Sequence, residues 1–257
     1  MDKGIVIFGH NSKEIDYVKL ANMSAGYATK NLRVPVTLIT DHHSVTTTSS
    51  TLENIDNLLV IDRPVITNTR LLSNRHIDFI NTNRYLAFEY SPYSRTLLID
   101  SDFFILTDRL NSYWNSDQEF LITEGMKSVG ERLSSDTINL SPTTIPMRWA
   151  TAIMFSKTDF VKTIFKIVEY VKDNWFYFVD LYNLPPTSFR NDFAFTIANH
   201  IANGFVPTDN FLPSPLMTLE NFKVKKFNKD TIVFDDLEIN CDVHIMNKFN
   251  LQELEIE

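Results

Sequence analysis

Two periods alternate along the chain. Residues 4–9, GIVIFG, form a continuous apolar run, residues 12–31, SKEIDYVKLANMSAGYATKN, have the apolar spacing of a helix, and residues 34–40, VPVTLIT, return to a continuous run that stops at Asp41. Strand, helix, strand is a βαβ unit, and runs apolar on both faces belong to a parallel sheet covered by helices. A third short strand is expected over 57–62, a helix over 76–90, a turn over 91–95 and a strand over 96–100. Further strands are expected at 119–123 and 150–156, a helix from Thr158 to about Trp175, and a Pro-broken loop at 183–189. A helix from Asn191 then ends at Gly204, and 231–235 and 241–249 read as strands. The expected class is α/β, a Rossmann-like fold with a mostly parallel central sheet flanked by helices and a mixed C-terminal part.

Composition sharpens this picture at three points. With 257 residues, 44% of them hydrophobic, the chain can bury a substantial core, and one domain over 1–257 is expected. A net charge of −8 provides no global cationic field for nucleic acid or anionic membrane. The one cysteine, Cys241, rules out an intramolecular disulfide framework and fits a reducing compartment. The first apolar run is too short for a secretory core, and no segment has the roughly 18 apolar residues of a membrane span. A cytoplasmic protein without membrane contact is expected. Six glycines leave no room for a glycine-rich phosphate cradle, so a bound nucleotide would need side chains and a metal to hold its phosphates.

The chemistry concentrates in TLLIDSDFFILTD, residues 96–108, where a strand built for burial ends in Asp100 and Asp102. Neighbouring carboxylates repel one another and lose hydration unless a cation or donors compensate. Residues i and i+2 of a strand share a face, so both acids can approach one hard cation, Mg²⁺ or Mn²⁺, at the carboxyl end of the sheet where α/β ligands bind. The bare D-x-D pattern is common by chance. In the other reading Asp100 caps the turn and Asp102 faces water.

The phrase SPYSRTLLIDSDFFI resembles the D-x-D segment of nucleotide-sugar glycosyltransferases of the GT-A fold. NTNRYLAFEYSPYSRTLLIDSDF, RWATAIMFSKTDF and FRNDFAFTIANHI are similar to predicted glycosyltransferase-like proteins of tailed bacteriophages, and the resemblance runs from GIVIFGHNSKEIDYVKLA to HIMNKF. Two departures from retaining GT-A enzymes stand out: ATAIMF occupies the place of their N-x-G strand, and their H-x-x-G-x-x-K is matched by His244 and Lys248, two residues closer.

The resemblance implies a glycosyltransferase that moves a sugar from a nucleoside diphosphate sugar, a UDP-sugar foremost, to an acceptor hydroxyl. Asp100, Asp102 and His244 would hold the ion, since imidazole suits Mn²⁺ better than Mg²⁺. Lys248, of the same strand parity as His244, would place a charge on the phosphate, and Arg84 would offer a fork of donors to the diphosphate, with Arg75 and Arg70 as rivals. His10, Asn11 and Asp41, after the first two strands, would meet the base or ribose. Asp192 would act on the acceptor hydroxyl as a general base in an inverting enzyme or orient the sugar in a retaining one. Plain structural roles stand beside these: a core histidine, a solvated lysine, turn and N-cap residues, and a helix cap at Asp192.

A hydroxymethylated pyrimidine of viral DNA is one acceptor the phage resemblance implies, alongside glycans and proteins. KVKKFNK, residues 223–229, is the one basic and aromatic patch that could track a nucleic-acid backbone, or a solvated strand edge. A nucleotidyltransferase with paired aspartates and a non-catalytic nucleotide-sugar-binding protein are the alternatives from other classes.

Overall fold

The computed structural model describes residues 2–65, 68–72, 75–129, 138–142, 144–212, 216–219, 223–235 and 237–254. The N-terminal half opens with β1 (Lys3–Phe8), α1 (Tyr17–Leu32), β2 (Val36–Thr40), α2 (His42–Thr47) and β3 (Asn57–Val60). A hairpin of β4 (Asn68–Leu72) and β5 (Arg75–Phe79) follows, then a 3-10 turn (Arg84–Leu86), α3 (Ala87–Tyr90), β6 (Arg95–Ile99) and β7 (Phe103–Phe104). Next come β8 (Phe120–Glu124), β9 (Met126–Ser128), β10 (Arg148–Ser156), α4 (Asp159–Asp173), α5 (Trp175–Leu181) and α6 (Asn191–Ala202). The chain finishes with β11 (Leu216–Leu219), β12 (Val224–Phe227), β13 (Ile232–Phe234), β14 (Leu237–Ile239), β15 (Val243–Ile245) and α7 (Lys248–Leu251).

The fold is mixed α/β with a parallel-dominated central sheet. Its six strands run in the order β3-β2-β1-β6-β10-β8. β3, β2, β1 and β6 are mutually parallel, and β10 pairs antiparallel with both β6 and β8. A second sheet, β7-β15-β11-β9, joins the C-terminal strands to the short strand that follows the D-x-D turn. β12-β13-β14 form an antiparallel three-stranded sheet.

Two hydrophobic cores result, and α1 serves both. Val18, Ala21, Ala25 and Ala28 pack toward the central sheet, whereas Leu20, Met23 and Tyr27 pack toward the C-terminal sheets. A helix apolar on opposite faces is one sandwiched between layers. On the far side of the central sheet, α4 starts at Thr158, whose side chain accepts from the Val161 amide, and it lays Phe165 edge-on against Phe195 of α6 at 5.3 Å.

Four expectations are corrected. Residues 76–90 are not one helix: Ile77 and Phe79 are buried while His76 is exposed, a period of two that pairs β5 with β4. Asn81, Thr82 and Asn83 then interrupt, being residues whose side chains compete for backbone partners. The strand expected over 241–249 spans only Val243–Ile245, so Lys248 opens a short helix and shares no strand parity with His244. Phe227 of the basic patch is fully buried in the second core, 5.0 Å from Phe104, so the aromatic and the exposed Lys225 and Lys226 do not share a surface. The helix expected from residue 12 begins at Tyr17, where the Asp16 side chain accepts from the Lys19 amide at 2.9 Å.

β1 has no room for a side chain at its second residue. A Cβ on Gly4 would lie 2.4 Å from the ring of Tyr93, which is itself held by a 2.8 Å hydrogen bond to Thr37. Gly4→Ala therefore is expected to lower stability by about 1–3 kcal/mol through overpacking, read as a fall in the chemical-denaturation midpoint.

Candidate active site

The D-x-D segment is a turn rather than the end of a strand. β6 stops at Ile99, the Phe103 amide bonds back to the Asp100 carbonyl at 3.1 Å, and β7 begins at once. The Asp100 amide donates to Thr151 of β10 at 2.9 Å, and the Asp102 carbonyl accepts from Ile245 of β15 at 3.0 Å. The turn is thereby pinned to both main sheets. Its carboxylates converge because the chain reverses there, not because of strand pleating.

His244 brings the third donor from β15. Its Nε2 lies 3.2 Å from Asp102 Oδ2 and 3.9 Å from Asp100 Oδ2, while Nδ1 faces the Thr151 hydroxyl at 3.4 Å. The ligating atoms of Asp100, Asp102 and His244 all fall within 4.8 Å of one another, a set of two hard oxygens and one imidazole that fits Mn²⁺.

Internal cations partner both acids. Arg84 Nη1 donates to Asp100 at 2.7 Å, and Lys248 donates to Asp102. Burial pushes the Asp100 carboxyl above the usual carboxylate range, opposed by Arg84 and reinforced by the nearby Asp102 charge. Burial would raise Asp102 as well, but the charges and hydrogen bonds of Lys248 and His244 outweigh it and hold that carboxyl far below its ordinary value. Arg84 is 3% exposed, and its Nε and Nη2 have no partner among the described residues. Such donors are costly to leave unmatched and point to a ligand that accepts.

A narrow recess of about 60 Å³ opens beside these groups. Asp100, Asp102, His244, Lys248, Arg84 and Asp192 all line it. Asp192, in the first turn of α6, accepts from the Ala150 amide of β10 at 2.9 Å and from Arg190 at 3.3 Å. The acids are thus paired, yet they stand next to open space.

Asn11 and Asp41 do not line the recess. Asn11 accepts from the Val18 amide at 3.0 Å and donates to the Ser44 carbonyl at 3.3 Å. Asp41 caps α2 through the Ser44 amide and accepts from His10 Nδ1 at 2.9 Å and Arg63 at 3.0 Å. His10 Nε2 in turn meets Asn83, and the His10 amide donates to Asn81, so this buried network supports the loop that carries Arg84. The side chains of Arg70 and Arg75 lie outside the described residues.

Among the residues at the recess that were not singled out from sequence are Asn81, Trp149, Thr151 and Asn191. The Asn81–Thr82–Asn83 cluster, polar residues inside an otherwise apolar stretch, is the signal that could have located the first. Trp149 and Thr151 carried none: they share one face of β10, but that strand is buried on both faces over 148–155, so its pattern does not mark which face meets the recess.

Comparison with solved structures finds many similar folds, three proteins among them. The galactosyltransferase LgtC, in complex with donor and acceptor sugar analogues, is 14% identical with a TM-score of 0.46, over 77% of this chain and 70% of that one. The glycosyltransferase GlyE of Streptococcus pneumoniae TIGR4 is 13% identical with a TM-score of 0.44, over 82% of this chain and 45% of that one, so this chain spans under half of GlyE. Apo mouse xyloside xylosyltransferase 1 is 9% identical with a TM-score of 0.49, over 82% and 84%. All three are glycosyltransferases. At 9–14% identity the likeness concerns the path of the backbone alone. No protein-family model matches the sequence, and no curated protein matches it. No helix among the described residues is long and apolar enough to cross a membrane.

The His10 network carries a pH dependence of stability. Burial, partly offset by Asp41, holds His10 below its ordinary 6.5, so the folded state refuses a proton that the unfolded chain accepts below that pH. The stability present above 6.5 is therefore lost progressively as pH falls. The melting temperature is expected to drop between about pH 7 and about pH 5, and His10→Asn should flatten that drop while lowering the pH 7 value.

Proposed function

We propose that the chain is a metal-dependent glycosyltransferase that transfers a sugar from a nucleoside diphosphate sugar, a UDP-sugar foremost, to an acceptor hydroxyl, with residues 1–257 acting as one catalytic unit. The observation that carries this reading is the Asp100, Asp102 and His244 triad set beside the unpartnered donors of Arg84 in one recess. The resemblance of SPYSRTLLIDSDFFI to the GT-A D-x-D segment agrees with it.

Glycosyl transfer from such a donor builds negative charge on the departing diphosphate. Asp100, Asp102 and His244 would hold Mn²⁺ or Mg²⁺, which when bound supplies positive charge against that developing anion. Arg84 has two nitrogens free to donate to phosphate oxygens while its third stays on Asp100. Lys248 lies against Asp102 in the absence of other cations and can turn its ammonium to the phosphate once Asp102 has another partner. Asp192 faces the same recess from the helix side, placed to accept a proton from the acceptor hydroxyl or to orient the sugar. A hydroxymethylated pyrimidine of viral DNA is the acceptor that the phage resemblance favours. The missing glycine-rich loop speaks against the nucleotidyltransferase alternative, and a nucleotide-sugar-binding protein without chemistry is separated from the enzyme by turnover alone.

Slow hydrolysis of UDP-sugars that requires Mn²⁺ is the expected activity. Asp102→Asn should abolish it, at least a hundredfold, and because a lone Lys248 would then be buried without its acid, the Asp102→Asn/Lys248→Met double variant serves as the folded control with a restored melting curve. Absence of any nucleotide-sugar-dependent rise in melting temperature with MnCl₂ present would sink the enzyme reading.

Charge balance generates a second expectation. Arg84, Lys248 and Arg190 already neutralise Asp100, Asp102 and Asp192 pair by pair. Titration calorimetry should find weak Mn²⁺ binding to the protein alone and binding at least about tenfold tighter with UDP present, with the reciprocal gain for UDP. Lys248→Met should strengthen Mn²⁺ binding alone and weaken that of UDP.

A further inference from the structure

The polar atoms that the fold leaves unmatched in the recess are of two kinds. Arg84 offers only donors. Trp149 and Asn191 differ: both are more than nine-tenths buried, at 7% and 8% exposed, both line the recess, and each has a polar atom without a partner among the described residues. In Trp149 it is the indole Nε1–H, a donor. In Asn191 it is Oδ1, an acceptor. The orientation of that amide is fixed, because its Nδ2 donates at 2.9 Å to the Asn81 carbonyl, which can only accept.

A donor and an acceptor together match a hydroxyl-bearing ligand, since a hydroxyl gives one hydrogen bond and takes others. Phosphate and carboxylate only accept, and either would leave Asn191 Oδ1 facing another acceptor. The neighbouring cation, Arg190, has its charge paired by Asp192 and lies 5.0 Å over the Phe193 ring, and its buried Nε adds a further donor without a partner among the described residues. The two residues sit on adjacent elements tied together by the bond from the Ala150 amide to Asp192, which holds them on one wall.

We propose that Trp149 and Asn191 form a hydroxyl-recognition subsite for the transferred sugar, and that this sugar is neutral rather than a uronic acid. The inference rests on the glycosyltransferase reading and adds the part of the donor that the metal triad and Arg84 do not touch. Trp149 is a specificity residue: removing its N–H leaves a sugar hydroxyl unmatched while the diphosphate contacts stay intact. The free protein gives up no hydrogen bond by that change, because the donor has no internal partner, and Trp149→Phe costs it only the packing of the lost ring in the core.

Calorimetry with MnCl₂ tests this on UDP, UDP-glucose, UDP-galactose, UDP-xylose and UDP-glucuronic acid, for the wild-type protein and Trp149→Phe. The expected result is a neutral UDP-sugar bound about tenfold less tightly by Trp149→Phe, the equivalent of one net hydrogen bond, with UDP affinity unchanged. A monodeoxy analogue of that sugar should bind the wild type about tenfold less tightly and cost Trp149→Phe nothing further. Equal weakening of UDP and UDP-sugar, no weakening of either, or a preference for UDP-glucuronic acid would overturn the subsite. If none of the five binds the wild-type protein, the UDP-sugar reading itself falls and takes the subsite with it.

Discussion

Two carboxylates in one tight turn, Asp102 buried and Asp100 half-buried, repel each other and forfeit hydration, and most of the polar architecture around them compensates for that. Asp100 receives Arg84, Asp102 receives Lys248, and His244 stands between both acids. The compensation is complete enough for the turn to be folded, yet uneven. Asp102 is held firmly ionised, whereas burial keeps Asp100 easier to protonate and more open to exchange partners. A site of this kind is stable at rest and responsive to an arriving cation or anion, because every charge in it already has a movable counterpart.

The same turn is the seam between the two halves of the molecule. Its backbone bonds reach β10 in the central sheet and β15 in the C-terminal sheet, and α1 packs on both cores behind it. Asp242 reinforces the junction from 0% exposure, accepting from the Leu106 and Thr107 amides and from Arg109. The imidazole and cationic residues of the C-terminal segment are therefore positioned by packing that involves the whole chain. Lys248 and Asp102 are 146 positions apart in sequence and in direct contact.

Around the recess, polar character is sorted by position. Donor-only groups gather near the acids, where phosphate oxygens would accept, and a mixed donor and acceptor pair sits on the β10 and α6 wall. Behind the loop of Arg84, the buried network of His10, Asp41, Asn81 and Asn83 has its hydrogen bonds turned inward and braces that loop. Residues at the ends of β1 and β2 thus bear on the site through the scaffold rather than by facing the recess.

Local physics was enough to read much of this from the chain. Continuous apolar runs marked β1, β2, β6 and β10, helical spacing marked α1, α4 and α6, and the paired acids after a buried strand marked where charge would need compensation. Patterns that depend on distant partners were not legible. Residues 75–79 became a strand because β4 was there to pair with, and Lys248 met Asp102 from a short helix rather than by strand parity. Trp149 faces the recess from a strand buried on both faces, where periodicity does not mark the side that meets it. The sequence by itself determined which segments would be strands and helices and that two acids would need partners, since periodicity and desolvation act over a few residues. Only the tertiary structure decided which cations, which imidazole and which unmatched donors surround them, because those contacts are set by the packing of layers far apart in the chain.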